Sequence, residues 1–530
     1  MKIVPYLLLL GLAHFCRGAE TFRFGEATID DLQQQMQAGR LTSRELTAAY
    51  LERIAAVDRA GPKLNAVIEL NPDALAIAEQ LDVERQAGKV RGPLHGIPVL
   101  LKDNIDTADK MQTTAGSLAL VGQKVPRDAG VAARLRAAGA VILGKTNCTE
   151  WANFRGNNSS SGWSGRGGQT HNPYALDRNP SGSSSGSAVA VSANLCVVAI
   201  GTETNGSIVS PASANGVVGF KPTVGLVSRA GIIPIAASQD TAGPIARTVR
   251  DAALVLAALT GPDERDAATQ SCPAGLATEL SASIKPGALR GARIGVVHGP
   301  FGFHARMEPV LAALIKALRD AGAEVVDPVK INSLGKFGSA TGDLLSYEFK
   351  DGLNRYLAEP GRVTPMKSLA DLIAFNEAHR VEEMSFFGQE DFIAAQARGP
   401  LTAPAYLTAK ATCIKLARTE GLDPALDTDR LDALVMFTRG VATLTDPLNG
   451  EGGSGSSSTM AAVAGYPSVT VPATQFFGLP VGLSFVGRPW SEAKLRALAA
   501  DFEAVTKARR EPSFRSTAEL AQVTAVHPDK

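Results

Sequence analysis

The sequence predicts an α/β protein whose sheet is buried on both faces. Short apolar runs alternate with helix-like stretches along most of the chain, and several of these runs are apolar at every position rather than at every second one. Strands of that kind are typical of a sheet that helices cover on both sides. With 530 residues, of which 45% are hydrophobic and 20% charged, the chain is long enough to bury a large core.

The first predicted helix begins at a capping box. Thr42 and Glu45 stand three residues apart, the spacing at which each side chain bonds the backbone N–H of the other residue. Leu46, Tyr50 and Ile54 then share one helical face. The further predicted elements are, in chain order, a helix at 72–87, a strand at 96–101, a helix at 129–138, a strand at 140–143, a helix and a strand within 188–200, a strand at 217–220, a helix at 249–259, a strand at 292–298, a helix at 307–321, helices within 343–416, a strand at 431–437 and two strands within 463–487.

The glycine- and serine-rich stretch at 451–459, EGGSGSSST, has the composition of a flexible linker. Because two strand-like runs follow it almost directly, we expect a surface loop within one domain rather than a boundary between two domains. The sequence contains no internal repeat, which is consistent with a single domain.

The N-terminus has the pattern of a secretory signal peptide. Lys2 precedes an apolar run at 3–13, and Cys16 and Gly18 provide small residues at positions −3 and −1 of a cleavage site after Gly18. The run is too short for a membrane helix, and no other segment has the roughly 18 uninterrupted apolar residues that such a helix requires. We therefore expect a signal peptide at 1–18 and a periplasmic or secreted mature protein that does not enter the membrane.

The net charge of the chain argues against several classes of partner. The formal charge is +1, so nothing favours binding to nucleic acid or to an anionic membrane surface. Four of the five cysteines follow the predicted cleavage site, and their spacing matches no metal-binding motif. Cys148 and Cys196 are predicted to be buried thiols. An oxidising compartment permits a disulfide between Cys272 and Cys413, but the sequence does not predict one.

Two glycine-serine turns and one lysine form the most informative pattern in the chain. The turns, around Ser183 and Ser207, bracket an apolar run that predicts a buried helix followed by a strand, a return that can bring both hydroxyls together. Lys102 ends another apolar run, GIPVLLKDNID, and burial disfavours the charged form of a lysine. Glycine lets backbone N–H groups crowd around a reacting atom, and a neutral lysine can activate a hydroxyl. The pattern therefore predicts hydrolysis through a serine nucleophile without histidine.

Two other interpretations of these turns remain open at this point. Residues 182–186, GSSSG, match the G-x-S-x-G pattern of a nucleophile elbow, but an elbow of that kind requires a histidine later in the chain. His379 lies in a helix-like segment and His527 stands three residues from the end, so neither is well placed. The turns can also be ordinary tight turns, with Lys102 a surface lysine.

Several blocks of the sequence resemble the amidase signature family. The segment at 182–211 is similar to the serine- and glycine-rich signature of that family, and GIPVLLKDNID is similar to its lysine motif. LGKTNCTEWANFRGN, GGQTHNPY, GVVGFKPTVGLVS, AGYPSVTVPA and GLPVGLSFVG match further blocks. The resemblance covers the whole expected mature chain, 19–530. Within the family it is strongest to bacterial peptide amidases, in GPKLNAVIELNPDAL, EWANFRGN and KPTVGLVSRAGIIPI.

The resemblance implies roles for particular residues. It implies that Lys102 is the base, that Ser183, preceded by a cis peptide bond, relays a proton, and that Ser207 is the nucleophile. It also implies an oxyanion hole formed by successive backbone N–H groups, those of Thr204, Asn205, Gly206 and Ser207. One position departs from the family pattern, because many members have arginine two residues after the nucleophile, where this chain has Val209.

The resemblance further implies a mixed, mostly parallel β-sheet flanked by helices on both faces, with no cofactor and no metal. The implied activity is amide hydrolysis, with release of ammonia from C-terminally amidated peptides as the first hypothesis. A broader amidase acting on aryl amides, other acyl amides or carbamates has the same chemistry. A glutamine amidase component of tRNA-dependent amidation fits the motifs but not the export signal. A non-catalytic binding protein is disfavoured because all three catalytic side chains are present, and the oligomeric state is not indicated.

Overall fold

The computed structural model describes residues 22–299, 301 and 303–519. The predicted signal peptide at 1–18, with Cys16, and the C-terminal His527 lie outside the described residues. Across the described ranges, none of the helices combines the length and the apolar character needed to cross a membrane.

The secondary structure alternates between helices and strands, as the sequence predicts. The strands are β1 (Val67–Leu70), β2 (Pro98–Lys102), β3 (Val141–Thr146), β4 (Trp163–Ser164), β5 (Gly168–Gln169), β6 (Val198–Glu203), β7 (Val218–Lys221), β8 (Thr241–Ala246), β9 (Arg293–Val297), β10 (Glu324–Val329), β11 (Ala433–Phe437), β12 (Ser468–Phe476) and β13 (Leu479–Val486). The α-helices are α1 (Ile29–Gln37), α2 (Ser43–Arg53), α3 (Ala74–Gln86), α4 (Gly130–Ala137), α5 (Ser185–Ser192), α6 (Val209–Ala214), α7 (Val249–Leu259), α8 (Leu276–Ser281), α9 (Glu308–Asp320), α10 (Ala340–Leu357), α11 (Leu369–Ala378), α12 (Arg380–Glu383), α13 (Glu390–Gln396), α14 (Pro404–Ile414), α15 (Asp423–Asp427), α16 (Thr459–Ala464) and α17 (Glu492–Thr506).

One mixed sheet of eleven strands organises the molecule, in the order β1-β3-β2-β6-β8-β7-β12-β13-β11-β9-β10. Parallel pairs lie in two blocks, β3-β2-β6 and β11-β9-β10. The remaining neighbours pair antiparallel. The α/β class and the mixed sheet are confirmed, but parallel pairing covers a smaller part of the sheet than the predicted majority.

Two local features explain the antiparallel centre of the sheet. β8 inserts between β6 and β7 and pairs antiparallel with both. β12 and β13 are joined by Phe477 and Gly478 alone, and both residues have positive φ. A two-residue turn of that kind is the preferred connection in a tight hairpin, so these two strands must run in opposite directions.

The sheet is covered on both faces, as the continuous apolar runs predict. Every residue of β2, β3, β6, β8 and β11 is buried. α5 packs on β2, β3 and β6, and α6 packs on β7, β12 and β13. α7 packs on β8, α17 packs on β12, and these two helices also pack on each other. Burial of whole strands by these helix layers is the arrangement expected of an α/β sheet.

Most predicted elements are found, with small differences at their ends, and the capping box of Thr42 and Glu45 opens α2. Five strands of the described residues, β1, β4, β5, β8 and β10, are not among the predicted strands, and two of them give no clear signal in the sequence. β8, TAGPIA, contains glycine and proline, which are depleted in strands. β10 lies at the edge of the sheet and exposes several residues, so it lacks a continuous apolar run. The stretch at 451–459 is a loop that leads into α16 rather than a linker between domains.

Helices α10 to α14 form a layer that is anchored to the segment following β2. Arg362, just after α10, is fully buried, and its Nη2 lies 2.6 Å from Asp106 Oδ2. Tyr356 Oη donates to Asp106 Oδ1 at 2.8 Å, and Arg362 Nη1 donates to Tyr356 Oη at 2.8 Å. Because Asp106 stands four residues after Lys102, this anchor fixes the chain close to the predicted base.

The four cysteines of the described residues are free thiols: Cys148, Cys196, Cys272 and Cys413. Cys272 and Cys413 are therefore not bridged in this structure. Cys148 and Cys196 are fully buried, as predicted.

Candidate active site

Lys102 is the last residue of β2, between β3 and β6, and its side chain is fully buried. Its Nζ lies 2.7 Å from Ser183 Oγ, 3.0 Å from Thr202 Oγ1 and 3.4 Å from Thr202 O. All three contacts are with uncharged oxygen atoms. The amine is thus held by hydrogen bonds alone in the interior of the sheet.

The environment of Lys102 favours its neutral form. Burial lowers the pKa of Lys102 to about 8, because a desolvated ammonium loses its hydration. Cys148, Asp240 and Glu203 act in the opposite direction, but their effect is smaller than that of burial. A large fraction of the amine is therefore neutral near pH 8, where it can accept a proton.

Ser183 lies in the turn that leads into α5, and it is fully buried. The peptide bond between Gly182 and Ser183 is cis. The Ser183 carbonyl accepts a hydrogen bond from Thr149 N at 3.1 Å, while its hydroxyl meets Lys102. The turn therefore places one predicted site residue directly against another.

Ser207 lies in the turn between β6 and α6, directly after Gly206, which has a φ of 83°. Ser184 N donates to Ser207 O at 3.1 Å, and this backbone bond joins the two glycine-serine turns. Ser207 is 8% exposed, whereas Ser183 and Lys102 are 0% exposed, so Ser207 is the most exposed of the three residues. Among the described residues, the Ser183 hydroxyl bonds Lys102 and not the Ser207 hydroxyl.

The turn around Ser207 is built on a carboxylate that the sequence analysis does not single out. Glu203, at the end of β6, is 2% exposed. Its Oε1 accepts from Gly206 N at 2.8 Å, and its Oε2 accepts from Ile208 N at 2.8 Å and Val209 N at 3.1 Å. A carboxylate that accepts from successive N–H groups stabilises such a turn. Its only sequence signal is an acidic residue immediately before a glycine-containing turn.

The four backbone N–H groups of the predicted oxyanion hole differ in whether they already have a hydrogen-bond acceptor. The N–H of Gly206 is already bonded to Glu203, so an oxyanion there shares a donor with that carboxylate. The N–H groups of Thr204, Asn205 and Ser207 have no acceptor among the described residues. Val209, at the position where the resemblance leads one to expect arginine, is buried and bonds Glu203 through its backbone.

A second buried carboxylate holds the start of this turn. Asp240 Oδ1 accepts from Thr204 Oγ1 at 2.5 Å, and Oδ2 accepts from the N–H groups of Ile235 and Ala236 at 2.8 and 2.9 Å. Burial raises the pKa of Asp240 to about 6, although these hydrogen bonds oppose the effect. Asp240 therefore ties the Thr204 end of the turn to the loop before β8.

A cavity of about 600 Å³ adjoins this turn. Its wall includes Asn104, Thr202 and Thr204 on the side of the turn, and much of the remaining wall is apolar. The arginines that line it are paired with carboxylates, namely Arg127 with Glu359, Arg229 with Asp266, Arg265 with Asp263 and Arg355 with Asp351. The cavity therefore offers space for an uncharged group beside the loop of Ser207.

The histidines of the described residues make their hydrogen bonds away from the two turns. His95 bonds Leu81 O, His171 bonds Leu176 O, His298 bonds Asp327, His304 accepts from Arg306 N, and His379 bonds Phe375 O. Ser184, the central serine of the G-x-S-x-G match, donates to Thr202 O at 3.0 Å. The described residues thus contain no serine–histidine pair of a nucleophile elbow.

The serine-rich loop at 451–459 packs on the turn of Ser207. Ser458 Oγ donates to Asn205 Oδ1 at 2.7 Å, and Asn205 Nδ2 donates to Thr459 Oγ1 at 3.3 Å. A Cβ on Gly206 would stand 2.8 Å from Ser458 Oγ, so this position has no room for a side chain. The predicted surface loop is therefore also a wall of the candidate site.

Comparison with known proteins points to one family. The sequence model of the Amidase family matches residues 45–495. The solved structure of native peptide amidase from Stenotrophomonas maltophilia is 55% identical and covers 93% of this chain and 99% of its own, with a TM-score of 0.88. A protein described as a probable amidase from Arabidopsis thaliana is 43% identical, over 96% of this chain and 95% of that protein. A glutamyl-tRNA(Gln) amidotransferase component from Roseiflexus castenholzii is 34% identical, over 91% of this chain and 96% of that protein.

Proposed function

Because this chain belongs to the amidase family and is a hydrolase that acts on amides, we propose that it releases ammonia from C-terminally amidated peptides through an acyl-enzyme on Ser207. The observation that carries the chemistry is the contact of 2.7 Å between the buried Lys102 Nζ and Ser183 Oγ, in a turn bonded to that of Ser207. A lysine whose pKa is lowered to about 8 can serve as the base of such a relay.

In the proposed reaction, Ser207 Oγ attacks the carbonyl carbon of the amide. Its proton passes to Ser183 Oγ while the proton of Ser183 passes to Lys102 Nζ. This relay requires a contact between the two serine hydroxyls in the substrate complex, and catalytic hydrogen bonds commonly tighten only when substrate is bound. The relay runs in reverse to protonate the leaving nitrogen, and ammonia departs. Water then attacks the ester on Ser207, which yields the free carboxylic acid and regenerates the hydroxyl.

The backbone N–H groups of the turn are proposed to stabilise the oxyanion that forms on the carbonyl oxygen. The free donors are those of Thr204, Asn205 and Ser207, and Gly206 contributes only as far as Glu203 shares its hydrogen. Loss of one such donor typically costs about 3–4 kcal/mol in the transition state. Glu203 and Asp240 support these donors by fixing the two ends of the turn.

Similarity to a peptide amidase supports the choice of substrate. The 55% identity extends over nearly all of both chains, which is closer than the 34% match to the amidotransferase component. The arginines that line the cavity next to the turn are paired with carboxylates of the described residues, so none of them is free to bind a substrate carboxylate. A peptide that ends in an amide rather than a carboxylate needs no such partner.

Ammonia release from purified protein tests the proposal. A blocked dipeptide amide is expected to yield ammonia and the free acid, whereas a matching p-nitroanilide is a poorer substrate and glutamine yields none. Ser207→Ala should lose the activity, while the matched control Ser210→Ala, three residues further on, should keep it. Preferential anilide cleavage would move the protein to the aryl-amidase group, and glutaminase activity would favour the amidotransferase hypothesis.

We also propose export of the protein, on the basis of the signal-peptide pattern at 1–18. When the full chain is expressed in a host that cleaves signal peptides, the periplasmic or secreted fraction should contain a mature protein that begins at Ala19. N-terminal sequencing and cell fractionation measure this directly. A chain that keeps Met1 and stays in the cytoplasm would contradict the proposal.

A further inference from the structure

Thr202 provides Lys102 with a second neighbour that the proposed relay does not use. The residue lies in β6, one strand away from Lys102, and is 7% exposed. Both of its oxygens face the amine, with Oγ1 at 3.0 Å and the carbonyl oxygen at 3.4 Å from Nζ. The Thr202 carbonyl also accepts from Ser184 Oγ at 3.0 Å, so its position is fixed by the turn of Ser183.

To act as a base, Lys102 needs a lone pair on Nζ that faces the hydroxyl proton of Ser183. A neutral amine carries two N–H bonds and one lone pair, and only the lone pair accepts a proton. Lys102 has three contacts, namely the two oxygens of Thr202 and Ser183 Oγ. When the two N–H bonds donate to Thr202, the lone pair is left for the O–H of Ser183. Without the Thr202 hydroxyl, one N–H can instead donate to Ser183, and the lone pair points elsewhere.

Asn104 completes this arrangement from the cavity side. Its side-chain amide lies 3.0 Å from Thr202 Oγ1 through Nδ2, and the residue is 1% exposed. Thr202 Oγ1 has two lone pairs, so it can accept from Asn104 Nδ2 and from Lys102 Nζ at the same time. The bond from Asn104 therefore holds the Thr202 hydroxyl in place while a lone pair faces Lys102.

We propose that Thr202 is a positioning residue, whose hydroxyl is held by Asn104 and accepts from Lys102 Nζ so that the lysine lone pair faces Ser183. This inference rests on the proposed function, in which Lys102 is the base. In this proposal Thr202 takes no part in the reaction at the carbonyl and acts through Lys102. Its role resembles that of the group that orients a general base in other nucleophile–base pairs.

The proposal makes a pH-dependent prediction, because an oxygen that accepts from an ammonium stabilises the charged form. The titratable groups that face Lys102 are Cys148, Asp240 and Glu203. Burial raises the pKa of Cys148 to about 12, so this thiol stays neutral over the working range. The carboxylates remain in place in a Thr202 variant. Loss of the hydroxyl is therefore expected to move the rise of kcat/KM with pH toward lower pH.

Thr202→Val tests the proposal, since it keeps the shape of the side chain and removes the hydroxyl. We expect kcat for a peptide amide to fall about 10- to 100-fold, and the rise of kcat/KM to move by about one pH unit to lower pH. Thr202→Ser should restore both quantities. Thr470→Val is the matched control, because it removes another buried hydroxyl that is hydrogen-bonded, at 2.6 Å to Thr438, and should leave both quantities unchanged.

Two outcomes would overturn the proposal. One is a folded Thr202→Val enzyme with the kcat and pH profile of the parent; the other is a loss that Thr202→Ser does not rescue. If Thr202→Val does not fold, Asn104→Asp supplies the second measurement. Its added negative charge near Lys102 should move the rise to higher pH, and an unmoved profile would contradict the account. Failure of the proposed function is recognised separately. In that case the parent enzyme releases no ammonia from a peptide amide, or Lys102→Met keeps the parental kcat.

Discussion

At the scale of the residue, burial of a lysine does not by itself identify the base. Lys102, Lys145 and Lys221 are all fully buried. Burial lowers the pKa of Lys221 to about 8, as it does for Lys102. Lys221, however, donates to the carbonyls of Pro222 and Tyr466, and Lys145 donates to Ile105 O and Thr113 Oγ1. Only Lys102 among these three meets a serine hydroxyl, so contact rather than pKa distinguishes the candidate base.

The pH dependence of kcat/KM is the first consequence at this scale. Because the base must be neutral, kcat/KM for a peptide amide should rise as pH increases through about 8, the pKa of Lys102. Steady-state rates from pH 6 to 10 measure this rise. Lys102→Met should lose at least about 100-fold in kcat. Lys221→Met is the matched control and should keep the parental kcat per folded molecule; equal losses in the two variants would contradict the assignment.

At the scale of the element, the turn between β6 and α6 depends on Glu203. Its carboxylate accepts from three N–H groups of the turn, those of Gly206, Ile208 and Val209. The same turn carries Ser207 and the free N–H groups proposed for the oxyanion. The geometry of the proposed nucleophile therefore depends on an interaction within one loop, in addition to the contacts of this loop with Asp240 and Ser458.

Glu203→Gln should disturb this turn without changing its size. An amide oxygen accepts more weakly than a carboxylate, and its NH₂ group faces N–H donors, so we expect a loss of about 1–3 kcal/mol in unfolding free energy. The kcat should fall as well, because the N–H groups of the turn lose their alignment. Denaturant unfolding and steady-state kinetics give both values. Glu324→Gln, at an exposed position on the edge strand β10, is the control, and an unchanged Glu203→Gln enzyme would refute this role.

The helical layer α10–α14 depends in a similar way on one buried ion pair. Arg362 and Asp106 are 0% and 1% exposed in their side chains, and their closest atoms are 2.6 Å apart. Arg362→Met leaves the Asp106 carboxylate without its partner, so we expect a loss of about 3–5 kcal/mol in unfolding free energy. Arg355→Met removes an exposed pair with Asp351 on α10 and should cost less than about 0.5 kcal/mol. Similar losses in the two variants would show that the buried pair is not the anchor.

At the scale of the whole molecule, the sequence predicts the α/β class, most helices and the two turns that meet. Continuous apolar runs report burial on both faces directly, and for that reason β2, β6 and β11 are predictable. The strand order is not, because pairing between β8 and its neighbours joins segments without a local signal. The same limit applies to the site: Lys102, Ser183 and Ser207 stand in recognisable motifs, whereas Asp240 and Thr202 gain their contacts only through the fold.

The contacts of the serine-rich loop at 451–459 are a further feature that the sequence does not predict. Its composition indicates a flexible connection, yet Ser458 and Thr459 bond Asn205 in the turn of Ser207. Composition describes the conformational freedom of a segment in isolation. Only the fold decides which surface the segment meets, and here this is a wall of the candidate site.

The most direct test of the account is to find which residue carries the acyl group. A fluorophosphonate that reacts with activated serines should add one label per chain, and peptide mapping by mass spectrometry should place it on Ser207. Labelling should be abolished in Ser207→Ala and slowed strongly in Lys102→Met, with Ser210→Ala labelled at the parental rate. A label on Ser183 or Ser184, or equal labelling of the Lys102→Met and parental enzymes, would contradict a nucleophile at Ser207 that Lys102 activates.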